Sequence, residues 1–208
     1  MITIYHLDNS RSERIVWLME ELGLPYEQQT FMRENGAAPA EMQKIHPIGT
    51  APLIRDGDQA IMESGAIVEY IVNRYGAGRL MPAISSHDYA PYLEWLHFSE
   101  GTLMSNLLRS FIVAMVAKDS PMVQMGVVRN TRMFNLIDQH LGSHTYFAGN
   151  EFTAADIMME FCFSFMERFA QQGPESYPNT ATWLKRVRAR PAYQRMLAVA
   201  APKVQFNR

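Results

Sequence analysis

Apolar and polar positions change period along the chain, and the changes divide it into two parts. Ile2 to Leu7 alternates and is rich in β-branched and aromatic residues, which predicts a strand. Asn9-Ser10 interrupts it, and Ile15, Leu18, Met19 and Leu22 then recur at helical spacing until Gly23 stops the helix. Pro25 to Phe31 predicts a second strand, and Pro39 to Ile45 a short helix. Leu53 to Arg55 and Gln59 to Met62 read as a hairpin turning at Asp56-Gly57. Ser64 to Tyr75 is helical, with Ile67, Ile71 and Val72 on its inner face. The order βαβ, then α, ββα, over residues 1–78 predicts a thioredoxin-like α/β domain whose first two strands are joined by a crossover helix.

Gly76 to His87, with two glycines and Pro82, reads as a linker. From Asp88 onward no strand pattern survives. Helices are predicted at 88–117, 122–141, 153–171, 178–189 and 191–200, so residues 88–208 form an all-α helical bundle. Phe152-Thr153-Ala154-Ala155-Asp156-Ile157 fits a capping box, with Thr153 and Asp156 exchanging bonds at the helix start and Phe152 as a staple on Ile157.

Composition changes little in this picture. With 48% hydrophobic residues, 19% charged and a net charge of −2, the chain has an ordinary globular make-up, and neither nucleic acid nor an anionic membrane is favoured as a partner. The single cysteine, Cys162, excludes an internal disulfide framework and suits a reducing compartment; with no basic leader before the first strand, a cytoplasmic location is expected. No apolar run reaches membrane-spanning length, because Arg109 and Lys118 break the longest candidate.

Candidate chemistry centres on Pro47-Ile48-Gly49-Thr50-Ala51-Pro52-Leu53-Ile54. Pro52 stands at a strand start, where it donates nothing to the ladder. A cis Ala51-Pro52 bond would turn the Ala51 N–H and C=O outward as a paired donor and acceptor for an extended peptide-like ligand. Met62-Glu63-Ser64-Gly65 then opens a helix, whose N-terminus is a seat for a carboxylate. Peptide edge and anion seat together describe a site for a small acidic peptide.

Taken with these segments, the chain resembles the cytosolic glutathione S-transferases over nearly its whole length. The resemblance rests on Ser10-x-x-x-Arg14, Pro47-Ile48-Gly49-Thr50-Ala51-Pro52-Leu53, Glu63-Ser64 and Phe152-Thr153-Ala154-Ala155-Asp156-Ile157, in that order and followed by an all-helical second half. The serine opening is similar to the serine-type branches and related bacterial enzymes. Ala51 departs from the valine or isoleucine common before the cis-proline, a change that a backbone contact tolerates. The resemblance implies a homodimer active in detoxification, with glutathione as co-substrate on the first domain, an apolar electrophile between the domains, and no metal.

On this reading Ser10 donates a hydrogen bond to the glutathione thiolate. A free thiol has a pKa of about 8.5, and lowering it by about two units takes roughly 2.7 kcal/mol of selective thiolate stabilisation. Asn9, Arg11 and Tyr5 are alternative donors, and Ser10-Arg11-Ser12-Glu13 is also a capping box that needs no ligand. The resemblance implies that Ala51 pairs with the cysteinyl backbone beside Thr50 and Pro52, that Ser64 binds the γ-glutamyl carboxylate, and that Glu63 takes the α-ammonium. It also implies that Glu100 reaches that ammonium across a dimer interface; a solvated helix charge is the alternative. Leu103, Met104, Leu107, Leu108 and Phe111 are either core or pocket lining. Lys185, Arg186, Arg188 and Arg190 are expected on a solvated face, and His140 and His144, with Gly142 between them, give a weak metal signal. Glutathione-dependent reduction of peroxides or disulfides, and a non-catalytic binding module on the same fold, are the competing functions.

Overall fold

The computed structural model describes residues 1–170 and 173–202. These form two compact units, Met1–Arg79 joined by the C-terminal helix, and Leu80–Val187.

In the first unit, β1 (Ile2–Leu7), β2 (Tyr26–Phe31), β3 (Leu53–Asp56) and β4 (Gln59–Met62) form one sheet in the order β2-β1-β3-β4. The β1–β2 pair is parallel, as the α1 (Glu13–Leu22) crossover requires, and β3 and β4 are antiparallel additions. Central β1 is buried at Ile2, Ile4, Tyr5, His6 and Leu7, whereas edge strand β2 has no buried position. A thioredoxin-like sheet is therefore present. α1 ends at Gly23, whose left-handed backbone (φ 60°) lets the next amide, Leu24 N–H, close on the Met19 carbonyl. The predicted helix at Pro39–Ile45 is a 3₁₀ turn, Ala40–Lys44, and α2 (Ser64–Tyr75) follows β4.

The last helix, α8 (Pro191–Ala200), packs on α1. The Trp17 and Tyr193 rings meet edge-on at 4.8 Å, and Arg190 forks onto Glu21 at 2.7 and 2.8 Å. The expected solvated basic face is therefore wrong for Arg190. Preceding Pro191 at the start of α8, it has left the α7 stripe and meets a carboxylate on α1. Arg186 is also engaged, donating to the Thr145 carbonyl at 2.6 Å.

The second unit holds α3 (Tyr89–Phe98), α4 (Ser105–Val116), α5 (Pro121–Leu141), α6 (Ala154–Phe165) and α7 (Pro178–Arg188). The single helix expected over 88–117 carries a π-helical stretch, Ser99–Met104, between α3 and α4. Side chains there take backbone carbonyls: Ser99 Oγ donates to Leu96, Ser105 Oγ to Gly101 and Thr102, and Asn106 Nδ2 to Thr102. Such competition accompanies a widened helical register. A second π stretch, Met166–Ala170, follows α6; residue 171, which the expected helix includes, lies outside the described residues, as do 203–208. Phe147 and Phe163 close around Trp183 at ring distances of 4.8 and 5.7 Å. The Thr153–Asp156 capping box is present, and Phe152 packs edge-on against Tyr146. Among the described residues, no helix is long and apolar enough to cross a membrane.

Candidate functional site

Strand register brings the first unit's candidate residues to one end of the sheet. Tyr5 on β1 pairs with Leu53 on β3, which pairs with Met62 on β4. Chain continuing past that row carries β1 toward Asn9 and Ser10 and carries β4 into Glu63 and Ser64; the chain entering β3 passes Thr50, Ala51 and Pro52. Three segments distant in sequence therefore share one edge.

Ala51-Pro52 is cis, and Ala51 lies outside the ladder, which begins at Leu53. Thr50 is exposed, Ala51 half-buried and Pro52 buried. Gly49 holds φ at +63°, and a Cβ there would lie 2.5 Å from Gln43 Cγ, so this glycine lets the loop pass close over the 3₁₀ turn.

Glu63, not Ser64, is the N-cap of α2, and its backbone is left-handed at φ 73°. Its side chain does not cap the helix. Ile67 N–H gives the first bond of α2, to the Glu63 carbonyl, so the amides of Ser64, Gly65 and Ala66 precede the helical ladder. Ser64 is buried at 4% exposure. A hydroxyl and a turn of helix-terminal amides at one point are what a carboxylate needs. The exposed Glu63 supplies opposite charge one residue away.

Ser10 lies in the β1–α1 turn with 6% of its surface exposed. Its capping box does not form: the N-cap of α1 is Ser12, and Ser10 Oγ accepts the Ser12 N–H at 3.2 Å instead of the Glu13 amide. Two residues cannot span the first helical turn, so Ser10 makes a tight serine turn ahead of the helix. Asn9 adopts φ 51° and gives an amide hydrogen to Asp8 at 3.0 Å. Tyr5 is buried within the sheet, its hydroxyl accepting from Arg55 at 3.3 Å. Sequence reasoning passed over His6 and Ser12, which are buried and bonded to each other at 2.7 Å. A lone histidine inside a β1 alternation was the only signal.

In the second unit, Glu100 is half-buried in the first π stretch. Leu103 and Met104 are core at 0% and 1% exposure. Leu107 and Phe111 line a pocket of about 730 Å³, with Met115, Phe134, Phe165 and Tyr177. Ser110 Oγ and Asn130 Oδ1 also line it, buried and with no hydrogen-bond partner among the described residues. His140 and His144 stack with ring centres 4.3 Å apart, each turned to a backbone carbonyl. Among the described residues, no cluster of three His, Cys, Asp or Glu is placed to hold a metal.

Comparison with known proteins agrees with this layout. Residues 4–79 match the glutathione S-transferase N-terminal domain, and residues 102–191 its C-terminal domain. Glutathione S-transferase 3 of Schizosaccharomyces pombe is 36% identical, covering 100% of this chain and 89% of that one. Glutathione S-transferase GstB of Escherichia coli K12 is 30% identical over 96% of this chain and 99% of its own. A crystal structure of a glutathione S-transferase from Actinobacillus pleuropneumoniae superposes with a TM-score of 0.87 at 30% identity, covering 96% of this chain and 93% of that one. A Pseudomonas fluorescens family member solved with two glutathione bound gives 0.82 at 26% identity, over 94% and 92%. Matches across both halves, with full-length relatives, place the chain in the glutathione S-transferase family.

Proposed function

We propose that this chain is a homodimeric cytoplasmic glutathione transferase that activates the glutathione thiol and presents it to small apolar electrophiles in detoxification. The observation that carries the reading is the shared edge of the first unit. There Ala51 lies outside the ladder, the Ser64 hydroxyl joins the amides at the start of α2, and Glu63 stands beside them. Ala51 pairs with the cysteinyl backbone beside Thr50 and Pro52, Ser64 takes the γ-glutamyl carboxylate, and Glu63 takes the α-ammonium. Glu100 reaches the same ammonium from the partner subunit. Residues 1–78 bind glutathione, and residues 88–208 contribute the electrophile site.

Thiolate forms beside Ser10, with Asn9 or Arg11 as the alternative donor, and attacks the electrophile carbon directly with no covalent enzyme intermediate. The pocket lined by Phe111, Phe134, Phe165 and Tyr177 suits a flat apolar ligand carrying one hydrogen-bonding group for Ser110 or Asn130. The test is calorimetric titration with glutathione, followed by rates on an aromatic halide and on an organic hydroperoxide. Saturable binding with the halide as the better substrate supports the reading. Binding without turnover of either would make the protein a binding module, and a dominant hydroperoxide rate would make it a reductase.

A further inference from the structure

His6, Ser12 and Ser10 form a buried side-chain relay that leads away from the proposed glutathione site. His6 Nε2 lies 2.8 Å from the Ala200 carbonyl of α8, His6 Nδ1 2.7 Å from Ser12 Oγ, and Ser12 Oγ 2.7 Å from Ser10 Oγ. The chemistry of its ends fixes its direction. A carbonyl only accepts, so Nε2 carries a proton. On a neutral imidazole Nδ1 then accepts, and Ser12 gives it its one proton. The approach of Ser12 Oγ to the Leu7 carbonyl is longer, at 3.4 Å, and donation there would set two lone pairs against each other at 2.7 Å. Ser12 Oγ also receives the Leu7 N–H at 3.2 Å, so toward Ser10 it can only accept. The Ser10 proton therefore points inward, and Ser10 Oγ offers a ligand only a lone pair.

That polarity suits a thiol and is wrong for a thiolate. An S–H group donates to Ser10, whereas a thiolate needs Ser10 to donate. We propose that His6 and Ser12 are positioning residues for thiol activation, and that the glutathione proton passes inward through the two serines to His6 Nδ1. The S–H bond breaks as a Ser10 O–H forms, the former Ser10 proton moves to Ser12, and the former Ser12 proton moves to Nδ1. Every hydroxyl ends with one proton, sulfur carries the negative charge and imidazolium the positive. Ser10 now donates to the thiolate. This rests on the glutathione reading above.

The surroundings suit a base that is neutral at rest and charged only beside an anion. Burial pushes the His6 pKa down, while the Ala200 carbonyl and the Asp8 carboxylate pull it back up. Asp8 follows β1; β2 places Thr30 opposite His6, α1 brings Ser12, and α8 its Ala200 carbonyl. Arg33 lies beyond Asp8, with Nε on the Asp8 carbonyl at 3.0 Å.

The test is ¹⁵N NMR of the His6 imidazole in the whole protein, with thiolate absorbance recorded on the same samples. Without ligand at neutral pH, His6 is expected as the Nε2–H tautomer. Saturation with glutathione protonates Nδ1 in proportion to thiolate absorbance, and S-methylglutathione, which has no thiol proton, leaves His6 neutral. Ser12→Ala raises the bound thiol pKa by about one unit or more without changing affinity for S-methylglutathione. If that variant does not fold, the wild-type spectra decide alone. An Nδ1–H tautomer in the free protein overturns the relay, as does full thiolate formation beside a neutral His6. Absence of calorimetric binding refutes the glutathione reading and, with it, the relay's catalytic role; thiolate with neutral His6 refutes the relay alone.

Discussion

Asp156 offers a measurable conflict between hydrogen bonding and burial. Its carboxylate is fully buried and accepts four bonds: Oδ1 from Phe147 N–H at 3.1 Å and Trp183 Nε1 at 2.9 Å, Oδ2 from Thr153 N–H at 2.9 Å and Thr153 Oγ1 at 3.3 Å. Burial nonetheless dominates and lifts its pKa from 3.8 to about 6. That rise, about two units, makes the ionised group cost roughly 3 kcal/mol at neutral pH. Because the folded pKa is the higher one, this group's contribution is fully present below pH 3.8 and is lost as pH rises through about 6.

Asp156→Asn removes the charge and keeps one acceptor oxygen for Phe147 and Trp183. It leaves the Thr153 N–H facing an amide NH₂, at about 1–3 kcal/mol, offset by the relieved charge. Asp156→Ala relieves the same charge but strands three buried N–H donors, about 3–9 kcal/mol before relaxation. Urea unfolding followed by tryptophan fluorescence should find Asn near wild type at pH 7 and Ala several kcal/mol below Asn. The wild-type minus Asn difference should fall between pH 4 and 7, a subtraction that cancels His6 and His140, both held low by burial. Asn as destabilising as Ala, or a difference flat with pH, would refute the reasoning.

Ser64→Ala removes a donor to a charged group, so calorimetry should show glutathione binding weakened roughly 10- to 100-fold, with kcat at saturation little changed. Gly49→Ala forces a left-handed backbone onto alanine and its Cβ against Gln43, which should lower the melting temperature by an amount equivalent to about 1–2 kcal/mol. Arg190→Ala breaks the fork onto Glu21, which is largely buried, and should lower unfolding free energy by about 1–2 kcal/mol at low salt. Cys162, at 0% exposure, should react with a disulfide reagent no faster than the protein unfolds.

Elements whose burial follows a single period were legible in the sequence. β1, the β3–β4 hairpin, α2 and α5 to α8 lie close to where alternation and helical spacing put them. Both π stretches were not, because they continue an apolar helical pattern and differ only in which carbonyl each amide meets. The site divides the same way. Strand order and turn chemistry were enough to bring Ala51 and Ser64 to one edge. Ser10 was read as a choice between cap and donor; it does not cap α1, and its own bonds run to Ser12. What directs its proton is Ser12, then His6, then a carbonyl 194 residues beyond His6, and no local pattern joins those positions.

The most direct test of the account is an ultraviolet pH titration of enzyme-bound glutathione, in wild type and Ser10→Ala. The bound thiol pKa is expected about two units below the free value, returning most of the way in the variant. Saturable binding with an unshifted wild-type pKa would contradict thiol activation, and a depressed pKa that survives Ser10→Ala would contradict the role given to Ser10.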